Sequence, residues 1–354
     1  MRFIFLLFIL AISFNTYAQN TIKARNDTLY INYTGKADSV IFKCLDWSIK
    51  LNNQAKNWLG VIPVKNVNEF IAAYSFTNFK NGVRHTGPLR EWAGKSLHPL
   101  APRLKKIEGH IVNATIKSNF LNEERLITIY LPPGYNNKRK YPVIYMTDGK
   151  IVKDYAHYLE FLIKERQIFP LILVGIHAGF SPTIEKYDAS KDRRALEYNK
   201  GFAKFVPGAD SSIFTNHMLF FCKEVPAYIE RHFSVSSQRA DRVLYGFSNG
   251  GSFTVSVGLS YPMLFGNIIS GSIGWELSLE VPNWDKTNYP RYHLVSGILE
   301  PGFLKTTVDW AGLLRKSNKE FFFKQYNSGH DPVMWRVFFL SRIQGIFRYK
   351  QPVK

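Results

Sequence analysis

The first part of the chain shows short apolar and aromatic runs that alternate with polar turns. Runs rich in Val, Ile, Tyr, Phe and Trp occupy residues 28–33, 39–44, 58–64 and 69–76. Gly, Asn and Lys separate these runs, as at residues 34–36 and 66–68. Several short strands at close spacing predict a small β-sandwich.

The pattern changes after residues 96–104, where Pro99 and Pro102 indicate a linker. Beyond it, strand-like apolar runs lie at residues 126–131, 141–146, 171–176, 242–245, 268–270, 292–296 and 321–326. Helical spacing of apolar residues occurs at 155–163, 216–233, 252–259, 303–316 and 335–347. This alternation predicts an α/β domain whose mostly parallel sheet carries helices on both faces.

The first residues have the character of a cleavable export signal. Arg2 gives a positive start, residues 4–14 are almost wholly apolar, and Thr16 and Ala18 stand three and one positions before a cleavage point at Gln19. The apolar run is shorter than the roughly 20 residues that span a bilayer. We therefore expect an exported, periplasmic or secreted protein with no integral membrane segment after cleavage.

The expected organisation has four parts. Residues 1–18 form the signal peptide, 19–95 the β-rich sandwich-like module, 96–104 the linker, and 105–354 the α/β domain.

Composition adds little about partners. The formal net charge is +19, from 46 basic and 27 acidic residues, which suits an anionic substrate, an acidic polymer or an anionic membrane surface. The basic residues are scattered, and no nucleic-acid-binding motif accompanies them. We expect neither a metal nor another cofactor. Cys44 and Cys222 are predicted to be buried thiols, with a disulfide as the alternative.

The segment Gly246-Phe247-Ser248-Asn249-Gly250 lies between a predicted strand and a predicted helix. In that context G-x-S-x-G indicates a sharp turn that holds its serine in a strained conformation, and the glycines avoid steric overlap. The hydroxyl then projects near the positive end of the following helix. We predict that Ser248 is a nucleophile.

A serine hydroxyl needs a base to take its proton. In folds with this turn the order along the chain is nucleophile, acid, histidine, so the base comes late. Two histidines, His293 and His330, follow Ser248. His293 lies in a predicted strand, whereas His330 lies in a loop between the last strand and the last helix. We therefore predict His330 as the base.

The acid is expected in a loop after the penultimate strand, where it orients the imidazole. Glu300 fits this position best. Asp309 is the alternative, although it lies within the predicted helix 303–316, and Asp331 is too close to His330 along the chain.

An oxyanion needs hydrogen-bond donors. We expect the backbone N–H of Asn249, directly after the nucleophile, to be one donor. The other is predicted to be the N–H of Lys150, where Gly149 lets the chain turn after strand 141–146.

Together these motifs resemble the putative-esterase family of α/β-hydrolases over about residues 105–349. The matching stretches are residues 129–135, 141–149, 246–251, 270–272 with Trp275, and 329–331 followed by Trp335. That family includes S-formylglutathione hydrolase, feruloyl esterases, antigen 85 mycolyltransferases and enterochelin esterases. The resemblance implies an α/β-hydrolase fold, and the β-rich module before it resembles the arrangement in enterochelin esterases.

The resemblance also implies roles for individual residues. Ser248, Glu300 and His330 fall on the triad positions, and Asn249 and Lys150 on the oxyanion-hole positions. The family's acid is often Asp, so Glu300 departs from the pattern.

Substrate-binding candidates are less strongly marked. Residues 194–198 are similar to a segment near the substrate entrance of siderophore-esterase-like members, which makes Arg194 a candidate beside Gly149. Trp275 and Trp335 are candidates for lining a pocket that accepts an aromatic group, and core packing is the alternative for each.

The sequence therefore predicts an exported serine esterase that acts through an acyl-enzyme intermediate. Expected substrates are feruloyl or acetyl esters on polysaccharide, or a catecholate siderophore lactone. Two alternatives stay open: an acyltransferase of the same fold, and a non-catalytic ligand- or carbohydrate-binding protein, because fold does not fix function.

Overall fold

A computed structural model describes residues 21–44, 47–54, 57–94, 97, 101–181, 188–274 and 289–349. The predicted signal peptide, part of the predicted linker and Trp275 lie outside these residues. Within the described residues, no helix has the length and hydropathy needed to cross a bilayer. The domain limits drawn from the sequence stay a prediction.

The N-terminal residues form two antiparallel sheets. Their strands are β1 (Thr21–Arg25), β2 (Thr28–Thr34), β3 (Ser39–Cys44), β4 (Ser48–Lys50), β5 (Asn52–Gln54), β6 (Asn57–Pro63), β7 (Ile71–Lys80), β8 (Val83–Thr86) and β9 (Arg90–Ala93). One sheet has the order β1-β2-β6-β5 and the other β4-β3-β7-β8, with β9 also paired to β7. We call these two sheets the N-terminal module.

Alternating burial explains why the two sheets pack together. Leu29 and Ile31 of β2 are buried, and so are Val40 and Phe42 of β3, each pair being two residues apart on one face of its strand. The four side chains belong to one apolar cluster. The module is therefore the small β-sandwich that the sequence predicts.

The second part of the chain is built on an eight-stranded sheet. Its strands are β10 (His110–Ser118), β11 (Glu123–Leu131), β12 (Val143–Met146), β13 (Ile172–Ile176), β14 (Arg242–Phe247), β15 (Asn267–Gly271), β16 (Arg291–Gly297) and β17 (Phe321–Tyr326). The order is β10-β11-β13-β12-β14-β15-β16-β17. The β10–β11 and β11–β13 pairs are antiparallel, and all later pairs are parallel.

Helices cover both faces of this sheet. They are α1 (Val152–Lys164), α2 (Arg193–Tyr198), α3 (Ile213–Leu219), α4 (Val225–His232), α5 (Asn249–Ser260), α6 (Pro301–Lys316) and α7 (Pro332–Ile346). Leu244 of β14 packs in the cluster that includes Phe253 of α5, whereas its neighbour Tyr245 packs in the cluster that includes Phe339 of α7. Successive strand residues face opposite sides, so the two clusters lie on opposite faces. The predicted α/β fold with a mostly parallel sheet is confirmed.

Some local expectations differ from the structure. The sequence indicates one helix over residues 216–233, but a π-helical turn at Phe220–Glu224 divides it into α3 and α4. The edge strand β10 was not predicted from the sequence, although exposed residues alternate with half-buried or buried ones from Val112 to Ser118. The expectation of two buried thiols is confirmed: Cys44 and Cys222 are buried and form no disulfide.

Candidate active site

Ser248 stands at the sharp turn between β14 and α5, with φ 57° and ψ −130°. A residue other than glycine rarely adopts this backbone conformation, and it persists only where the surrounding packing imposes it. A Cβ on Gly246 would lie 2.4 Å from the Gly250 carbonyl oxygen, and one on Gly250 would lie 2.3 Å from Thr147 Oγ1. The two glycines are therefore required here, as the motif predicts.

His330 lies against the Ser248 hydroxyl. Its Nε2 is 3.0 Å from Ser248 Oγ. The imidazole stacks on the Phe303 ring, with centroids 3.9 Å apart, and is nearly perpendicular to the Trp335 ring, with centroids 4.7 Å apart. Packing on these aromatic rings restricts the imidazole to one orientation.

Glu300 holds the other imidazole nitrogen. Its Oε2 is 2.7 Å from His330 Nδ1. Its Oε1 accepts hydrogen bonds from the Gly297 N–H and the Ser272 hydroxyl, each at 2.6 Å. The Trp335 indole N–H in turn donates to Ser272 Oγ at 2.6 Å. Because a carboxylate only accepts, His330 carries its proton on Nδ1 and leaves Nε2 to accept from Ser248.

Asp309, the alternative acid, lies elsewhere. Its side chain is 45% exposed on α6 and forms an ion pair with Lys305 at 2.6 Å. The structure thus brings Glu300, and not Asp309, to His330.

His293, the alternative base, is a buried residue of β16. Its Nε2 is 3.1 Å from Asn267 Oδ1. Burial, together with the positive charges of Arg342 and Arg291, lowers the pKa of His293 to about 3. It is therefore a neutral core histidine at physiological pH.

The two predicted oxyanion donors leave the same edge of the sheet. Asn249 is the first residue of α5, and Lys150 is the second residue of the 3₁₀ turn Gly149–Ile151 that follows β12. Amides in the first turn of a helix have no partner within the helix. β12 and β14 are parallel neighbours, so the two turns lie side by side. A Cβ on Gly149 would lie 2.3 Å from His177 Cδ2, which is why the chain has glycine there.

Comparisons with known proteins show the family of this chain. The sequence profile of the family described as Putative esterase matches residues 118–343. The chain belongs to this family. Its relatives include two uncharacterized proteins of Bacillus subtilis (strain 168), YjcH at 29% identity over 161 residues and YbbA at 26% over 160 residues. Each match covers 44% of this chain, and the matches span 58% and 60% of the two relatives.

Solved structures show the same fold. The enterobactin esterase FES of Shigella flexneri superposes with a TM-score of 0.67 at 16% identity, over 92% of this chain and 95% of that chain. The ferric enterobactin esterase of Salmonella typhimurium gives 0.69 at 15% identity, over 90% and 94%. A ferulic acid esterase of Anaeromyces mucronatus gives 0.56 at 18% identity, over 70% and 94%. The α/β-hydrolase fold is thereby confirmed.

In this esterase-family chain, Arg194 ties the turn after β12 to the nucleophile turn. Its guanidinium binds both carboxylate oxygens of Asp148, at 2.5 and 2.8 Å, and approaches the Phe247 carbonyl oxygen at 3.4 Å. The Asp148 N–H donates to the Tyr198 hydroxyl at 3.1 Å. The sequence suggested Arg194 as a substrate-binding residue and gave no signal of its pairing with Asp148.

A cavity of about 420 Å³ opens beside this turn. It is lined by Asp148, Gly149, Lys150, His177, Ala178, Gly179, Ser181, Asp188, Lys191, Asp192 and Arg194. Three of the predicted residues, Gly149, Lys150 and Arg194, therefore face the same space.

Trp335 does not line this cavity. It is 6% exposed, stacks on Phe247 with centroids 4.3 Å apart, and its N–H is bonded to Ser272. For Trp335 the structure favours packing over lining a pocket. This packing supports the acid, Glu300, and the base, His330.

A buried charged network beside the cavity was not predicted. Arg125 binds both oxygens of Glu197, at 2.9 and 2.8 Å, and donates to the His177 carbonyl oxygen at 3.1 Å. Glu197 also accepts from the Gly179 N–H at 2.9 Å. These bonds fix residues 177–179 on the cavity wall. The residues come from separate elements, so no local pattern signals the network.

The network has a defined charge state. Burial would raise the pKa of Glu197, but the interaction with His217 in its protonated form, together with the charge and the hydrogen bonds of Arg125, lowers it to about 2. Burial lowers the pKa of His217 to about 4. His217 is therefore neutral at pH 7, and Arg125 and Arg193 are the counter-charges of Glu197 there.

Proposed function

We propose that this protein is a serine esterase that hydrolyses carboxylic esters through an acyl-Ser248 intermediate. One observation carries the proposal: Ser248 Oγ lies 3.0 Å from His330 Nε2, while His330 Nδ1 lies 2.7 Å from Glu300. A nucleophile, a base and a group that orients the base are within hydrogen-bond reach of each other, which is the requirement for nucleophilic acyl transfer.

The first half of the reaction forms the acyl-enzyme. His330 Nε2 takes the proton of the Ser248 hydroxyl as Oγ attacks the carbonyl carbon, and Glu300 stabilises the resulting imidazolium. The carbonyl oxygen becomes an oxyanion that accepts from the N–H groups of Asn249 and Lys150, each worth about 3–4 kcal/mol in the transition state. Collapse breaks the bond to the alcohol oxygen, which receives the proton from His330.

The second half regenerates the serine. Water replaces the released alcohol, His330 takes its proton, and the hydroxide oxygen attacks the acyl carbon. The bond to Ser248 Oγ breaks, the hydroxyl regains its proton from His330, and the carboxylic acid leaves.

The substrate we propose is an ester on a small molecule or on a polysaccharide. The solved relatives named above are enterobactin and ferulic acid esterases, so catecholate lactones and feruloyl or acetyl esters are the first candidates. Charge does not separate these classes, because Lys150, Lys191 and Arg194 in the cavity wall are matched by three aspartates. We also propose that residues 1–18 are removed on export, which N-terminal sequencing of the exported protein tests.

Replacing Ser248 by Ala tests the mechanism. We expect hydrolysis of p-nitrophenyl acetate to fall by about 10⁴-fold or more, because the triad residues act as a unit. The initial burst of p-nitrophenolate, one equivalent per enzyme, should disappear as well. Ser260→Ala, at the exposed far end of the same helix, is the matched control and should keep the wild-type rate.

Substantial turnover by Ser248→Ala with native thermal stability would place the nucleophile elsewhere. A screen of feruloyl, acetyl-xylan and catecholate lactone esters, ranked by kcat/KM, then identifies the substrate class. Equal and weak rates on all three would reject these classes.

A further inference from the structure

The first residues of strand β7 in the N-terminal module extend past the end of its partner strand, β3. β3 pairs with Tyr74 to Phe79 of β7, whereas β9 pairs with Ile71 to Tyr74. Both pairings include Tyr74, so β3 and β9 lie on opposite edges of β7. Among the described strands, none pairs with residues 71–73 on the β3 edge. Buried backbone groups at such an edge require other partners.

The segment that carries His330 supplies these partners. We call residues 327–331 the His330 segment. The bonds that join it to the module are Ile71 N to Asn327 O at 3.0 Å, Ser328 Oγ to Ile71 O at 2.9 Å, Ala73 N to Asp331 Oδ2 at 2.6 Å, and Asn327 Nδ2 to Lys65 O. They anchor the segment on both sides of His330.

The opposite side of the His330 segment contacts the loop that carries Glu300. The Leu299 N–H donates to the Ser328 carbonyl oxygen at 3.0 Å. A Cβ on Gly297 would lie 2.1 Å from the same oxygen. The segment is therefore held between the Glu300 loop and the edge of β7, with little room to shift.

Asp331 connects three parts of the molecule. Its Oδ2 accepts from Ala73 of the module, and its Oδ1 accepts from the Val333 N–H at 2.8 Å, which caps the N-terminus of α7. The residue is 3% exposed and directly follows His330. A buried carboxylate in this position fixes the distance between the module, the helix and the imidazole.

We infer that the N-terminal module is a positioning element for His330, and that Asp331 is its positioning residue. This inference rests on the proposed function, since it gives the module a role in the same reaction. Near-attack geometry is demanding, and a displacement of about 1 Å can cost 10²-fold in rate. Loosening the segment therefore lowers kcat and leaves substrate binding largely intact.

Asp331→Ser is the decisive variant. Serine is a good helix N-cap, so the bond to Val333 can persist, but its shorter side chain cannot also reach Ala73. We expect kcat for p-nitrophenyl acetate to fall by about tenfold to 10²-fold, with KM within about twofold of wild type.

Glu91→Gln is the matched control. Glu91 of β9 binds Arg336 of α7 at 2.9 and 2.5 Å, across the same interface, and its carboxylate is directed to α7 instead of to the His330 segment. We expect this variant to keep kcat. An equal loss of kcat in Glu91→Gln and Asp331→Ser would show a general interface effect and overturn the inference.

A second readout does not depend on turnover. The Nδ1 proton of His330, bonded to Glu300, should give a low-field proton resonance, which is assigned by its absence in His330→Gln. In Asp331→Ser this resonance should shift or broaden, and in Glu91→Gln it should not. If Asp331→Ser keeps both kcat and the resonance, the inference is wrong.

The two proposals fail in different ways. Turnover by Ser248→Ala would reject the nucleophile, yet the resonance would still report whether Asp331 holds His330 against Glu300. If Asp331→Ser does not fold, Ser328→Ala replaces it, because it removes one bond to Ile71 and keeps the cap of α7. A wild-type kcat and an unchanged resonance in that variant would then overturn the inference.

Discussion

Replacing Glu300 by Gln tests whether Glu300 is the acid of the triad, because it changes the hydrogen bonds that this side chain forms. Oε1 accepts from Gly297 and Ser272, and Oε2 faces His330 Nδ1. An amide has a single oxygen, so Gln cannot serve all three donors. An NH₂ group at the Oε1 position would face the Gly297 N–H, so we expect the amide oxygen to take that position and the NH₂ group to face His330.

The NH₂ group then donates to Nδ1 and drives the imidazole into the tautomer with its proton on Nε2. That nitrogen cannot accept the proton of Ser248. Loss of the correct tautomer lowers kcat by about 10⁴-fold in a comparable triad. We expect a loss of about 10³–10⁴-fold here, or about 4–5.5 kcal/mol at about 1.4 kcal/mol per factor of ten. The variant should stay folded, because the bonds to Gly297 and Ser272 persist.

The assay is p-nitrophenyl acetate hydrolysis, with thermal unfolding as the check on folding. Asp309→Asn is the control, because the exposed pair with Lys305 is worth about 0–1 kcal/mol to stability. We expect its kcat to stay at the wild-type value. The reasoning is refuted if folded Glu300→Gln keeps kcat within about tenfold of wild type, or if Asp309→Asn loses more than Glu300→Gln.

Two further predictions concern the surroundings of the site. Trp335→Phe removes the N–H that bonds Ser272, so the free energy of unfolding should fall by about 1–3 kcal/mol and kcat should fall as well. The control is Trp310→Phe, in the core of α6, which should lower stability alone. Equal kcat in both variants would contradict the role of Trp335. Acidification from pH 7 to pH 4 should lower the free energy of unfolding. Burial lowers the pKa of His217 to about 4 and that of His293 to about 3. The unfolded chain therefore binds more protons than the folded chain below about pH 6.5. Urea unfolding at each pH measures this free energy. His293→Gln should reduce its dependence on pH. A urea midpoint that stays constant between pH 7 and pH 4 would show that the folded histidines also protonate.

Much of the fold is predictable from the sequence because its signals are local. The strand at residues 321–326 was expected at its observed limits, since a short apolar and aromatic run ends at a turn. The turn around Ser248 follows from the glycines on either side of it, and the chain order places a histidine loop near the same sheet edge. These features depend on residues that are close in sequence.

What the sequence does not reveal depends on contacts between distant residues. The Arg194–Asp148 pair and the Arg125–Glu197 network join separate elements. An arginine or a carboxylate in the sequence does not indicate which residue it pairs with. The π-helical turn at Phe220–Glu224 leaves the apolar periodicity almost unchanged, so a single helix was the natural expectation. The bond from Ala73 to Asp331 joins residues 258 positions apart.

The two buried thiols give the molecule built-in reporters of local opening. Cys44 lies beside Gly329 and Asp331 in a small gap between the module and the His330 segment, whereas Cys222 lies in the helical layer of the other domain. An alkylating reagent reaches a buried sulfur only when the surrounding structure opens. Alkylation rates at these cysteines therefore report opening of the gap between the module and the His330 segment and opening around the π-helical turn in one sample, without any engineered label.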